Sequence, residues 1–429
     1  MSPAIGMGIV VAAFGLLMAP VLLLRRAGRL SAEGSRKLIH VGMGLVVATF
    51  PWIFTVLWPV LALTGGFVLL LAALRVVPAL RERFGAALCG VERASWGDLY
   101  FPIAAGGLFC LTHAQPVNYV IPILILALAD AAAALIGTRF GRHCYLADEG
   151  EKSWEGSAAF LVVALGCVFV PLLVVGVAPW HALLTGLIIA AVTMLLEATA
   201  WRGLDNLFVP FATLVMLRLY HDVPAAVLER HLGGLLVLAG LHLLFRRRVL
   251  LREGTLLGAL VVVYLCWTLG NFSWAIGPMM VLVTHPILNV GRRADTSFYL
   301  RSHPTLLAFV APPLGWLLLD RLLGVHGFGP FNIAFGAQMS LAAVSLWRAH
   351  ERPRGWLLIL PATAFGWVLL VLPWWLAGSL PGRTALLAAG NFLMIDAIFF
   401  SLQPMLASRP IRHWNLRATL AALASLAGM

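Results

Sequence analysis

The sequence predicts an all-α, polytopic integral membrane protein. Hydrophobic residues make up 61% of its 429 residues and charged residues only 11%, whereas soluble domains carry about 25% charged residues. One transmembrane helix needs about 20 apolar residues, so the chain has room for about 15 such helices and for little else. Because unpaired backbone cannot face lipid, any chemistry must occur at a membrane face or inside a helical bundle.

Basic residues recur in every second loop. Of the 30 Lys and Arg residues, 26 lie in loops between apolar stretches, at residues 25–37, 75–98, 138–155, 199–206, 246–253, 291–303, 348–354 and 405–417. Cytoplasmic loops carry an excess of Lys and Arg. We therefore expect a multi-pass protein of the bacterial inner membrane, with these loops in the cytoplasm and the N-terminus outside. The net charge of +12 then reflects topology rather than nucleic-acid binding.

The two halves of the chain differ in kind. Residues 30–210 hold nearly all of the polar clusters, whereas residues 254–429 alternate apolar spans with short loops that carry arginine. We therefore predict a transmembrane catalytic domain at residues 1–250 and an additional transmembrane helical domain of unknown role at residues 251–429. In the second half, Asp396 lies in an apolar run, and we expect it to pair with an arginine. The first apolar stretch, Pro3 to Leu24, has no basic residue before it, so we expect a retained span rather than a cleaved signal peptide.

One carboxylate lies inside an apolar stretch. Asp130 belongs to a run that begins at Val117, and an ionisable group in such a position is costly and usually functional. Ala133, Gly137 and Gly141 follow it on the same helix face. Small residues let another group approach this face closely, and that group is either a neighbouring helix or a ligand.

The charged loop after this helix leads into the next span. Arg142 and Lys152 lie in the loop, Ser153 is placed to cap the span, and Gly156 and Ser157 fall in its first turn. A helix start offers free N–H groups and a positive dipole end, which suit phosphate, although a capped helix start alone is commonplace. Lys152 is one of only two lysines in the chain, and it offers a compact point charge.

Further carboxylates follow at the next cytoplasmic turn. Glu197 lies near the end of an apolar helix, and Asp205 and Asn206 lie in the turn after it. Asp205 or Asn206 could instead be a plain N-cap. Together with Asp130, these carboxylates are what Mg²⁺ coordination or deprotonation of an alcohol requires.

Five motifs in this order resemble those of a known family. They are SRKLIHVGMG with Lys37 and His40, GDLYFP at 97–102, the series from Asp130 to Gly141, KSWEGS at 152–157, and EATAWRGLDNLFVP at 197–210. Over about residues 30–215 they resemble the polyprenol kinase family, which includes phytol kinase, dolichol kinase and the CTP-dependent diacylglycerol kinase.

The resemblance implies a membrane-embedded kinase that transfers a phosphoryl group from CTP, with Mg²⁺, to a lipid alcohol such as a polyprenol, phytol or diacylglycerol. It makes residues 1–250 the kinase-like domain. The catalytic residues would be Asp130, Lys152, Glu197 and Asp205, with Asp130 and Asp205 as metal ligands. The nucleotide-binding residues would be Lys37, His40, Gly137, Gly141, Arg142, Ser153, Gly156, Ser157 and Asn206.

Alternatives stay open at this point. Glu151 precedes Lys152, where family members often have a basic residue, so the donor stays open among CTP, ATP and UTP. A CTP-dependent phosphatidate cytidylyltransferase is one rival, although that family's Pro-Gly-His-Gly-Gly signature does not occur in the sequence. A lipid or small-molecule transporter is another, although we find no internal repeat. No P-loop sequence GxxxxGK[ST] occurs.

Overall fold

The computed structural model describes residues 2–77, 96–112, 115–147, 150–199, 202–245, 253–288, 303–350, 355–406 and 410–429. Asp148 and Glu149, which lie in the charged loop before Lys152, and the arginine run 246–248 are outside these ranges.

The described part of the first half consists of helices and one β-hairpin. The helices are α1 (Pro3–Arg26), α2 (Ala32–Ala48), α3 (Phe50–Ile53), α4 (Leu57–Val76), α5 (Gly97–Thr112), α6 (Pro116–Leu124), α7 (Asp130–Phe140), α8 (Trp154–Val174), α9 (Pro179–Thr199), α10 (Asp205–Leu219) and α11 (Ala225–Phe245). A π-helical turn, Ile125–Ala129, joins α6 to α7. Strands β1 (Cys144–Ala147) and β2 (Gly150–Ser153) pair antiparallel between α7 and α8.

The described part of the second half is helical. Its helices are α12 (Glu253–Leu269), α13 (Phe272–Leu288), α14 (His303–Leu323), α15 (Phe328–His350), α16 (Ile359–Leu370), α17 (Leu372–Leu376), α18 (Gly382–Leu406) and α19 (Pro410–Ser425). Short 3₁₀ turns, Gly355–Leu358 and Leu426–Gly428, precede α16 and follow α19.

This architecture confirms the predicted all-α membrane fold. Among the described residues, eight helical segments are long and apolar enough to cross a membrane, namely Pro3–Arg26, Leu57–Val76, Pro116–Phe140, Trp154–Val174, Pro179–Thr199, Ala225–Leu244, Thr305–Leu323 and Gly382–Leu406. Shorter apolar helices accompany them, Gly97–Thr112, Gly254–Leu269, Phe272–Thr284 and Trp356–Leu370. The chain is therefore a multi-pass membrane protein. The count of about 15 spans and the topology stay predictions.

The chain divides into two compact units, Met1–Val237 and Leu238–Met429. The division falls within α11, before the boundary at residue 250 that the sequence predicts. The first unit contains every residue predicted for the active site. The assignment of a kinase-like domain to residues 1–250 and of an additional domain to residues 251–429 stays a prediction.

The first unit is held together by close helix packing. Gly106 on α5 fits against the hydroxyl group of Thr64 on α4, because a Cβ at Gly106 would lie only 2.7 Å from the Thr64 Oγ1 atom. The neighbouring Gly107 receives the ring of Phe211 on α10 in the same way, with 2.9 Å to that ring. Because lipid is as apolar as a helix face, such van der Waals contacts stabilise the bundle where burial from water does not.

No arginine among the described residues forms an ion pair with Asp396 in the second unit, contrary to expectation. Its carboxylate is fully buried and accepts hydrogen bonds from Ser340 Oγ at 3.1 Å and Thr363 Oγ1 at 2.8 Å. Arg417, also buried, donates to the backbone carbonyl of Gln338 at 3.1 Å. The expectation was wrong because hydroxyl groups on α15 and α16 reach both carboxylate oxygens.

Candidate active site

The Asp130 carboxylate forms an ion pair inside the bundle. Its Oδ2 atom lies 2.6 Å from Nζ of Lys37, and these side chains are only 18% and 8% exposed. Lys37 reaches it from α2, whose start is capped by the hydroxyl group of Ser31. A carboxylate at this depth needs a partner, and the lysine supplies a charge-assisted hydrogen bond. The structure therefore brings together two residues that the sequence assigned separately.

His40 lies one turn further along α2 and contacts the same segment. Its Nε2 atom is 3.2 Å from the backbone carbonyl oxygen of Leu126 in the π-helical turn, and 3.9 Å from the Asp130 carboxylate. Because a carbonyl oxygen only accepts, the Nε2 atom carries the hydrogen. The ring packs against Phe101, with 5.0 Å between ring centroids. His40 is thus bound to protein groups on two sides.

Lys152 is presented by the β-hairpin. Its Nζ atom lies 2.9 Å from the Glu197 Oε1 atom and also donates to the backbone carbonyl of Glu197. The lysine side chain is 26% exposed and the glutamate side chain 13%. Burial lowers the pKa of Lys152, but the Glu197 carboxylate more than offsets this effect, so the pKa lies above its usual value. Lys152 is therefore a firmly charged ammonium group.

The start of α8 is capped as predicted, but its N–H groups have partners. Ser153 Oγ accepts from the Gly156 N–H at 3.1 Å, and the Trp154 N–H donates to the His143 carbonyl at 3.0 Å. The hydroxyl group of Ser157 lies 2.9 Å from the Tyr145 hydroxyl group. A phosphate group at this helix start would consequently depend on Lys152 and the helix dipole more than on free N–H donors.

The small residues after Asp130 bring α7 and α8 together. A Cβ at Gly137 would lie 3.0 Å from Ser153 Oγ, and one at Gly141 would lie 2.8 Å from Ser153 Cβ. Likewise, a Cβ at Gly156 would lie 2.9 Å from the Ala133 carbonyl oxygen. This is the helix-packing alternative that the sequence left open. A role of these glycines in nucleotide binding stays a prediction.

A tight turn immediately before α10 positions Asp205 at the start of that helix. Arg202 and Gly203 both have left-handed backbone conformations, with φ of 53° and 79°, and α10 begins at Asp205 without a side-chain cap. The N-cap alternative for Asp205 or Asn206 was therefore wrong. The Asn206 side chain instead donates to the backbone carbonyl of Gly97 at 2.9 Å, which ties α10 to α5 and leaves the Asp205 carboxyl free of a capping role.

Electrostatics link Asp205 to the two ion pairs. Burial raises the pKa of Asp205 to about 6, the carboxylates of Asp130 and Glu197 raise it too, and Lys152 and Lys37 oppose this. The charges of the two ion pairs therefore act on the Asp205 carboxyl group, and we refer to these five side chains together as the polar centre.

The polar centre is not a preassembled metal site. Within the ranges that the structure describes, no group of three His, Cys, Asp or Glu side chains is placed to hold a metal ion. Glu197, the third predicted carboxylate, is paired with Lys152. Asp130 and Asp205 stay the predicted metal ligands. Arg142, also predicted for nucleotide binding, is exposed just before the hairpin.

Sequence reasoning missed Tyr145. It is 4% exposed, lies opposite Lys152 in the register of the hairpin, and packs on Trp154 with 5.1 Å between ring centroids. With its hydrogen bond to Ser157, it fastens the hairpin to the first turn of α8. The only sequence signal was an apolar aromatic residue within a charged loop.

A further ion pair also escaped the sequence analysis. Arg75 at the end of α4 pairs with Asp98 at the start of α5, and its guanidinium carbon lies 4.7 Å from the centroid of the Trp96 ring. Asp98 belongs to the GDLYFP motif, so this motif joins two helix ends beside the residues that tie α5 to α10.

The fold and the polar centre define an all-α membrane protein with ionised groups assembled within a helical bundle, as in membrane enzymes that act on charged substrates.

No family model matches the chain, and no solved structure matches it. It is 31% identical over 228 residues to a phytol kinase from Synechocystis sp., and the match covers 49% of this chain and 88% of that protein. The chain belongs to the polyprenol kinase family with that phytol kinase, as its motifs predicted. It is accordingly a phosphotransferase that acts on a lipid alcohol.

Proposed function

We propose that this protein transfers a phosphoryl group from CTP, with Mg²⁺, to an isoprenoid alcohol such as phytol or a polyprenol at the cytoplasmic membrane boundary. One observation carries the proposal: the only two lysines of the chain are each paired with a carboxylate of the polar centre. The name of the similar protein, phytol kinase, favours an isoprenoid alcohol over diacylglycerol.

Lys152 supplies charge for the nucleotide phosphates. In phosphoryl transfer the protein mainly positions groups and neutralises charge. An ammonium group has three N–H donors, and Glu197 accepts two of those of Lys152. The third donor is left for a phosphate oxygen. Because Glu197 binds through both its carboxylate and its backbone carbonyl, the ammonium group is fixed in place before the nucleotide arrives.

The carboxylates of Asp130 and Asp205 fit a magnesium ion. Mg²⁺ in kinases is held by one or two carboxylates together with substrate phosphates, so two protein ligands are enough. Burial and the neighbouring carboxylates of Asp130 and Glu197 raise the pKa of Asp205, and a cation bound here would offset both effects. When bound, the ion would neutralise charge on the phosphates.

Asp130 is also the group we propose to accept the hydroxyl proton of the lipid. Lys37 binds the Oδ2 atom, so Oδ1 is the oxygen that would accept this proton. A lipid alcohol carries its hydroxyl group at the membrane surface, while its chain stays among the apolar helices. The acceptor therefore approaches the polar centre from the membrane, and the nucleotide approaches it from the aqueous side through Lys152.

The proposal is tested with the purified full-length chain in detergent micelles. Phytol, a polyprenol and diacylglycerol are offered with CTP, ATP or UTP that is labelled in the γ- or the α-phosphate. We expect label from γ-labelled CTP in phytyl or polyprenyl phosphate, and no label from α-labelled CTP. Label from the α-phosphate in the lipid would identify cytidylyl transfer and overturn the proposal, as would transfer from ATP or UTP in preference to CTP.

Two variants show whether the activity belongs to the polar centre. Asp130→Asn should abolish the transfer. Asp222→Asn is the matched control, because Asp222 is an exposed aspartate of the same unit outside the polar centre, and it should leave the transfer unchanged. Equal activity of both variants would assign the transfer to another site.

A further inference from the structure

We propose that α2 is the template that sets the position of Asp130, with Gly44 and His40 as positioning residues. This inference rests on the proposed function, because it concerns how the same polar centre is held. Lys37, His40 and Gly44 are spaced by three and four residues, so they lie on one face of α2. All three contact the segment that consists of the π-helical turn and the first residue of α7.

Gly44 permits the closest contact on this face. A Cβ at this position would lie 2.3 Å from the Cβ of Ala127 in the π-helical turn. Such a distance is far below van der Waals contact, and Ala127 is fully buried with its Cβ attached directly to backbone. A methyl group at Gly44 would therefore push α2 and the π-helical turn apart, because neither side has a flexible group that can move away.

His40 binds the backbone of the π-helical turn. In a π-helical turn the hydrogen-bond spacing changes from i+4 to i+5, so a carbonyl group is left to find another partner. Here the Leu126 carbonyl accepts from His40 Nε2 at 3.2 Å. The turn ends immediately before Asp130, so a group that holds the turn also holds the carboxylate.

This arrangement changes the role of His40. The sequence grouped it with the nucleotide-binding residues, whereas its Nε2 hydrogen is used by Leu126 and its ring is packed against Phe101. The contact of Gly44 with Ala127 and the ion pair of Lys37 with Asp130 lie on either side of this hydrogen bond. A displacement of α2 would therefore also displace the Asp130 carboxylate.

The first test adds and then removes one methyl group. We expect Gly44→Ala to lower kcat on the order of 10²-fold, because a misplacement of about 1 Å can cost that much, with a smaller change in the KM for nucleotide. The double variant G44A/A127G should restore kcat, since the nearest remaining atom, Ala127 Cα, is 3.5 Å away. Gly65→Ala on α4 adds the same methyl group where no atom lies within 4 Å, and it should behave like the parent.

The second test needs no kinase activity. Lys37 and Lys152 are the only lysines of the chain. Their acylation by an amine-reactive reagent can therefore be followed by mass spectrometry without interference from other lysines. We expect Lys37 to react faster in G44A than in the parent, and to return to its slow rate in G44A/A127G. Lys152 is the internal reference and should react equally in all of them. If no acceptor is phosphorylated at all, this result still tests the template.

Either of two results would overturn the inference. One is a folded G44A variant with parental kcat and parental Lys37 reactivity. The other is a double variant in which both stay at the G44A level although the protein is folded. If G44A does not accumulate in the membrane, His40→Phe replaces it, because phenylalanine keeps a ring against Phe101 but has no N–H for Leu126. Unchanged Lys37 reactivity in H40F would then refute the template.

Discussion

Replacing Glu197 with glutamine should shift the alkaline limit of activity to lower pH. Burial lowers the pKa of Lys152, and the Glu197 carboxylate overcomes that effect. Glutamine keeps the side-chain size and the backbone carbonyl contact but removes the charge. Lys152 then loses its counter-ion while it stays in the same partly buried position. Since only the ammonium form binds phosphate, activity falls as pH rises through the pKa of Lys152, and a lower pKa brings this fall to lower pH.

The size of the shift follows from the distance and the exposure. A carboxylate within about 4 to 6 Å shifts a pKa by about 1 to 3 units. The two charged atoms lie 2.9 Å apart, but the lysine side chain is 26% exposed, so solvent screens part of the interaction. We therefore expect the pKa of Lys152 to fall in E197Q, and kcat/KM for the nucleotide at the alkaline end of the range to be on the order of 10-fold below that of the parent.

The measurement is kcat/KM for the nucleotide across the alkaline range at constant ionic strength. The matched control is Glu229→Gln, because Glu229 is an exposed carboxylate of the same unit bonded to the Trp180 ring nitrogen at 3.0 Å. It should keep the parental profile. An E197Q profile with the parental alkaline limit would show that Lys152 does not bind the phosphates as a charge set by Glu197.

Three further outcomes are expected. Lys152→Arg should lower kcat/KM for the nucleotide at least about 10-fold although it keeps the charge, because a planar fork cannot replace a point charge; equal activity would make Lys152 a mere cytoplasmic anchor. Asp130→Asn should lower kcat by at least about 10²-fold if the carboxylate accepts the hydroxyl proton, and Asp222→Asn should not; a smaller loss argues against this role. In a cysteine-free background, a cysteine at Arg202 should react with membrane-impermeant reagents only from the cytoplasm and one at His221 only from outside; the reverse labelling would contradict the topology.

Hydropathy and local motifs predicted the features that depend on neighbouring residues in the chain. The apolar spans, the cap at Ser153 and the unusual placement of Asp130 all follow from sequence windows of about 20 residues or fewer. The family assignment, which the comparison supports, rested on five such windows in a fixed order. Local information was sufficient wherever one helix or one helix end determined the feature.

The pairing within the polar centre could not be predicted in this way. Lys37 and Asp130 are 93 residues apart, and Lys152 and Glu197 are 45 residues apart, so their partners are decided by helix packing. The sequence analysis assigned both lysines to the binding of phosphate and the carboxylates to the binding of a metal ion. It contained no information on which lysine would meet which carboxylate, because opposite charges on separate helices are compatible with several arrangements.

Two local features were missed for a different reason. The π-helical turn Ile125–Ala129 has an apolar sequence that an α-helix would accept equally well, so its hydrogen-bond pattern could not be predicted from the local sequence. The β-hairpin consists of strands with only four residues each inside a charged loop, too short for a period of two to be recognised. Its buried tyrosine, Tyr145, finds its partners Trp154 and Ser157 only when α8 is in place.

The use of lysine in the polar centre follows from what each side chain does to a carboxylate. The chain contains 28 arginines and two lysines. A guanidinium group binds both oxygens of a carboxylate at once, whereas Lys37 contacts Asp130 through Oδ2 and Lys152 contacts Glu197 through Oε1. Among the described residues, no side chain occupies the second oxygen of Asp130. An arginine at position 37 would occupy that oxygen and leave none for a metal ion or a hydroxyl group. We infer that lysine suits this position because it pairs with one oxygen of the carboxylate and leaves the other for a metal ion or a hydroxyl group.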